Sequence, residues 1–98
     1  HLDISANPEV KNFDFGALPQ LEQLDIRDCG LSNIDLRQAE KLWFLRCSGN
    51  VYETLDLNAA PTLIDVEAYT DTLKEVKAQN FLKRQNAALF CYETTKIS

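Results

Sequence analysis

Glycine, proline and cysteine each occur only three times in this 98-residue chain, and histidine once, at position 1. Each scarcity removes a class of chemistry. With so little glycine there is no glycine-rich phosphate loop, and neither G-x-S-x-G nor H-E-x-x-H occurs, so the common signatures of nucleotide binding, serine hydrolysis and zinc proteolysis are missing. Cys29, Cys47 and Cys91 form an odd set without a C-x-x-C pair, which argues against a disulfide framework or a zinc site and leaves the redox compartment open. Long apolar runs are also missing. Stretches such as Leu42 to Leu45 and Ala87 to Cys91 are a handful of residues long, against the roughly 20 a membrane-spanning helix needs. Clustered cations are absent as well: ten Lys and Arg are scattered among fifteen Asp and Glu, and the net charge of −5 speaks against a nucleic-acid or anionic-membrane surface. Proteins or glycans are the partners this balance allows.

What the chain does have is 45% hydrophobic residues, enough for one small core, and a strict order in where they fall. Shifting the sequence by 21 aligns Leu21, Leu42 and Leu63, then Leu24, Leu45 and Val66, then Ile26, Cys47 and Ala68. The same shift aligns Cys29, Asn50 and Asp71, then Leu31, Tyr52 and Leu73, then Ile34, Leu55 and Val76. It continues through Leu36, Leu57 and Ala78 to Ala39, Ala60 and Phe81. Upstream, Leu2, Ile4, Asn7, Val10, Phe13, Phe15 and Leu18 fill these columns if one residue is inserted within 7–10. Downstream, Arg84, Ala87, Leu89, Tyr92 and Ile97 continue the spacing in weaker form, with a cation in the leucine position. The coils are thus about 1–20, 21–41, 42–62 and 63–83, with a degenerate fifth over 84–98, in a single domain.

A period of two around Leu24-x-Ile26 makes a short strand whose alternate side chains point inward. Stacking such strands in parallel, about 4.8 Å apart, builds one narrow continuous core. The small or polar residue at the Asn7, Cys29, Asn50, Asp71 column marks a turn, where its side chain can satisfy buried backbone groups. The return half of each block alternates too, as in Ile34-x-Leu36 and Leu55-x-Leu57, and Pro19 and Pro61 share a column. An extended or turn-rich return fits this better than a long helix.

The spacing L-x-x-L-x-L-x-x-N/C-x-L, written at Leu21, Leu24, Ile26, Cys29, Leu31 and again at Leu42, Leu45, Cys47, Asn50, Tyr52, resembles the leucine-rich repeat family. The I-D-L and L-D-L returns at Ile34 to Leu36 and Leu55 to Leu57 are most similar to the 21-residue repeats of internalin-like bacterial surface proteins. The resemblance implies a β-dominated repeat solenoid, a right-handed coil with parallel strands on a concave face and an extended convex side. It also implies a non-catalytic module that recognises a protein or glycan, extracellular or at the cell surface. A structural spacer and an intracellular regulatory scaffold are the alternatives. The strand at Leu2 starts without a capping segment, so the chain reads as a fragment of a longer array, or as one that self-associates through its uncapped ends.

Residues between the inward columns become the displayed face: Asp3 and Ser5; Gln23, Asp25 and Arg27; Phe44, Arg46 and Ser48; Asp65, Glu67 and Tyr69; Asn86, Ala88 and Phe90, with Trp43 at the strand edge. Asp25, Arg46 and Glu67 share one column, which predicts cross-strand charge compensation. Phe44, Arg46, Glu67, Tyr69, Asp25, Arg27 and Phe90 are the candidate partner contacts, since aromatic and arginine side chains on a rigid surface anchor protein partners. Cys29 and Cys47 read as small buried thiols and Cys91 as falling just outside the inward pattern. Carboxylate pairs such as Asp25 with Asp28, or Asp65 with Glu67, imitate a glycosidase dyad, but a solenoid supplies surface carboxylates routinely and no enzyme activity, cofactor or metal is expected.

Overall fold

The computed structural model describes residues 1–7 and 13–98. The inferred insertion within 7–10, and the core position expected for Val10, lie outside the described residues. Among the described residues eight short strands follow one another: β1 (Leu2–Asp3), β2 (Gln23–Asp25), β3 (Phe44–Arg46), β4 (Thr54–Asp56), β5 (Asp65–Glu67), β6 (Glu75–Lys77), β7 (Ala88–Phe90) and β8 (Lys96–Ile97). β1, β2, β3, β5 and β7 form a five-stranded parallel sheet in that order, and β4, β6 and β8 a three-stranded parallel sheet on the return side. Three-residue 3-10 turns at Phe15–Ala17, Leu57–Ala59 and Phe81–Lys83 interrupt the returns. The chain is a β-dominated repeat solenoid of stacked parallel strands. Among the described residues no helix is long and apolar enough to cross a membrane.

The inward columns lie between the two sheets. Leu24, Leu45 and Val66 are partners across the strands, and each is fully buried, as are Ile26, Cys47 and Ala68 one step further on. Volume is traded along the stack: Tyr52 lies in the column of Leu31 and Leu73, and Phe81 follows Ala39 and Ala60. Leu21 and Ile34 are only half-buried, and Leu18, expected at the Ala39 position, is exposed beyond the 3-10 turn that precedes it.

Turns between the sheets need polar partners, because strands of three residues leave many backbone groups outside the ladders. Asn50 meets that need for two coils. Its Oδ1 accepts from the N–H groups of Cys29 and Leu31 at 2.9 and 3.1 Å, and its Nδ2 donates to the carbonyls of Ile26 and Cys47 at 2.9 and 3.0 Å. The buried Tyr52 hydroxyl donates to the Cys47 carbonyl as well. On the surface, a second device repeats. Asp14, Asp35 and Asp56 each accept from the N–H two residues on, at 2.8, 3.0 and 3.1 Å, where the return strand bends.

Two expectations about the later coils are corrected. Asp71 does not enter the turn column: it is exposed, and Thr70 is buried in its place, with a hydroxyl that has no hydrogen-bond partner among the described residues. The fifth coil is also out of step by two, since Val66 pairs with Leu89 rather than with Ala87. Sheet partners on the return side keep the 21-residue interval, Val76 to Ile97, so the extra two residues sit in the connection before β7 and are taken back in the turn after it. Leu89 therefore continues the Leu24 column, and Cys91, not Leu89, falls in the Ile26 column. Arg84, which the 21-residue spacing puts in the leucine position, lies in that connection and works through its guanidinium, which donates to the Ala60 and Leu63 carbonyls at 2.6 Å and lies over the Phe81 ring.

The two polar turn residues should respond oppositely to apolar replacement. Asn50→Leu strands buried donors and acceptors in two coils and lowers stability by about 2–4 kcal/mol, whereas Thr70→Val removes an unpartnered hydroxyl and is neutral to about 1 kcal/mol stabilising; urea titration of both variants reads the signs. Hydrogen bonds from Arg37, through its side chain and then its backbone N–H, lower the Asp35 pKa from the ordinary 3.8 to about 2. A depressed carboxylate adds stability that is full above pH 3.8 and fades as pH falls through about 2. Arg37→Ala should return the Asp35 titration midpoint toward 3.8, as followed by carboxyl NMR.

Candidate functional site

The outward side chains of the five-stranded sheet stand in three ranks, fixed by the strand register. Gln23, Phe44, Asp65 and Ala88 form the first, and Asp3, Asp25, Arg46, Glu67 and Phe90 the second. Beyond the strands the ladder continues through Ala6 to Arg27, Asp28 to Ser48, Gly49 to Tyr69 and Ala68 to Phe90, so Ser5, Arg27, Ser48, Tyr69 and Tyr92 form the third. Asn86, expected on this face, instead takes a left-handed turn at φ 64° just before β7.

Within these ranks the charges are not arranged as expected. Asp25, Arg46 and Glu67 are neighbours in register, yet neither carboxylate forms an ion pair with Arg46. Asp25 is only 4% exposed, and its two oxygens accept from Arg27 Nε at 2.9 and 3.1 Å and from Nη2 at 2.7 Å. These hydrogen bonds, and then the Coulomb attraction of Asp25, raise the Arg27 pKa. The pair forms along one chain segment because the bend after β2 turns Arg27 back over Asp25, whose Oδ1 also accepts the Arg27 N–H at 3.2 Å. Arg46 is left exposed, with its guanidinium 5.1 Å from the centroid of the half-buried Phe44 ring, which tilts against Trp43. Glu67 is half-buried and accepts from the Ser48 hydroxyl at 3.3 Å. Phe90, 49% exposed, ends the second rank.

Tyr69 and Tyr92 close the third rank, both exposed, with ring centroids 5.3 Å apart and planes tilted by 55°. The 21-residue spacing puts Tyr92 in the turn column of Asp71; the two-residue slip of the fifth coil carries it beside Tyr69 instead. The rings overlook a cleft of about 280 Å³ that is also lined by Gly49, Val51, Asp71 and Thr72. The 21-residue columns put Asp71 and Tyr92 at the turn and so conceal their place at this cleft. The signal that exposes them is the poor fit of Arg84 and Ala87 to the leucine positions, since a shift of 23 restores Leu89 beneath Val66 and sets Tyr92 beside Tyr69.

All three cysteines are free. Burial pushes the Cys47 thiol up to about 12 and raises that of Cys91, so neither is held as a thiolate at neutral pH. Cys29 is buried with its sulfur 3.2 Å from the Ile4 carbonyl. Among the described residues no group of three or more His, Cys, Asp and Glu is placed to hold a metal ion.

The two arginines of the face differ in what depends on them. Arg27→Met leaves the Asp25 carboxylate buried and unpaired, and should cost about 1–3 kcal/mol, less than for a deep pair because Arg27 is itself partly exposed. Arg46→Met should stay within about 0.5 kcal/mol of the parent in the same urea titration. No protein-family model matches this chain, and no curated protein or solved structure matches it either.

Proposed function

We propose that this chain is a leucine-rich-repeat binding module of the internalin-like kind, which recognises a protein or glycan through its five-stranded face and catalyses nothing. The observation that carries this reading is the division of the side chains. The aliphatic columns are buried between the sheets, while Phe44, Arg46, Tyr69 and Phe90 stand on the outside of adjacent parallel strands. Aromatic and arginine side chains held on short, cross-bonded strands meet a partner with little ordering cost, which is the property that makes such residues dominate binding energies. The repeat spacing and the I-D-L and L-D-L returns support the placement among bacterial cell-surface or secreted proteins.

A glycan array and a displayed-peptide library, screened with the parent chain and with the Phe44→Ala, Arg46→Ala, Tyr69→Ala triple variant, test the proposal. Ligands selected by the parent should lose at least about tenfold in affinity for the triple variant, with its thermal midpoint little changed. Equal binding by both proteins sinks recognition through this face; a parent that selects nothing favours a structural spacer instead.

A further inference from the structure

The cleft beside the tyrosine pair has a composition that specifies more than a generic contact surface. Its lining includes the paired Tyr69 and Tyr92, Val51, which is 49% exposed, and Asp71. Among the described residues the Asp71 carboxylate has no ion-pair partner. The Thr72 hydroxyl, by contrast, is engaged, donating to the Tyr52 carbonyl at 2.9 Å. Apolar wall, π faces and unneutralised anion together describe the surroundings of an organic cation with an aliphatic stem.

We propose that this cleft is a subsite for an arginine side chain on a basic segment of a protein partner. The guanidinium would lie against the tyrosine rings with Asp71 as its counter-charge, and its methylenes against Val51. The inference rests on the reading of the chain as a binding module and narrows the partner from protein or glycan to a protein carrying positive charge. Two adjacent aromatic rings beside an unpaired carboxylate support that choice, because a planar, delocalised guanidinium stacks on a ring face while a carboxylate meets its charge. The net charge of −5 acts in the same direction by steering cations toward the surface. The site is also set in advance of binding. The Tyr69 N–H donates to Ser48 Oγ at 2.8 Å, its carbonyl accepts from Gly49 at 3.0 Å, and the Tyr92 carbonyl accepts from Thr95 at 3.0 Å.

The test is an amide NMR titration of the full chain with three probes: N-acetyl-arginine amide, the neutral isostere N-acetyl-citrulline amide, and maltotriose. The arginine probe should shift the amides of Gly49, Val51, Asp71 and Tyr92, more strongly at low salt, and the other two should not. Asp71→Asn and Tyr92→Leu alter exposed side chains and should each weaken the arginine probe by about two- to fivefold. Equal shifts by citrulline, stronger shifts by maltotriose, or indifference to both variants would overturn the subsite. If ligands selected in the array experiment lose affinity for a Phe44→Ala, Arg46→Ala double variant while the cleft stays silent, the subsite alone has failed. If the face and the cleft are both silent, the binding-module reading falls with it.

Discussion

The carboxamide of Asn50 is the interaction on which the coiling depends. A solenoid made of three-residue strands has little ladder to hold it, and the turn between its two sheets brings N–H and C=O groups into a space without water. One side chain with two donors and an acceptor closes the turn of its own coil and reaches back to the coil before, at Cys29 and Leu31. Its neighbours are less complete. Cys29 offers only a thiol, directed to the Ile4 and Arg27 carbonyls, and Thr70 a hydroxyl that has no partner among the described residues. The polar connection between coils is thus strongest in the middle of the described array and weakens on either side.

With the turns closed, the core reduces to filling a narrow space evenly. Residue size varies from column to column, and the bulk of Tyr52 and Phe81 is balanced by Ala39, Ala60, Ala68 and Ala78. That economy leaves the outer ranks little packing duty beyond Asp25, which is drawn under Arg27, and the half-buried Phe44 and Glu67. The displayed residues divide accordingly: Asp25 and Arg27 hold the bend after β2, while Arg46, Tyr69 and Phe90 make few commitments within the chain.

Much of this was legible from the residues, for a physical reason. Period two fixes which side of a strand a residue faces, and a repeating interval fixes which residues become neighbours, so the columns through Leu24, Leu45 and Val66 and the outward position of Phe44 and Arg46 follow from counting. Phe90 came out on the correct side despite the slip in the fifth coil, because a slip of two preserves the alternation. What counting could not reach was set by hydrogen-bond geometry. Whether Asp25 turns to Arg46 across the sheet or to Arg27 along its own segment depends on the bend after β2, and whether Asp71 or Thr70 enters the turn depends on its local path. Arg84 shows the same limit: in a leucine column it reads as a defect, until its guanidinium is seen to cap two carbonyls.

The unequal spacing of the two sheets has a further consequence. From β5 to β7 the interval is 23 residues, from Asp65 to Ala88, while from β6 to β8 it is 21, from Glu75 to Lys96. The two faces of the solenoid therefore keep separate clocks, and a connection can lengthen on one side of a strand while the turn on its other side shortens. Tyr69 and Tyr92 are adjacent because of that difference in lengths alone. A repeat protein of this kind can rearrange which side chains meet on its surface by insertion and deletion in its loops, leaving every core residue and every displayed residue chemically as it was.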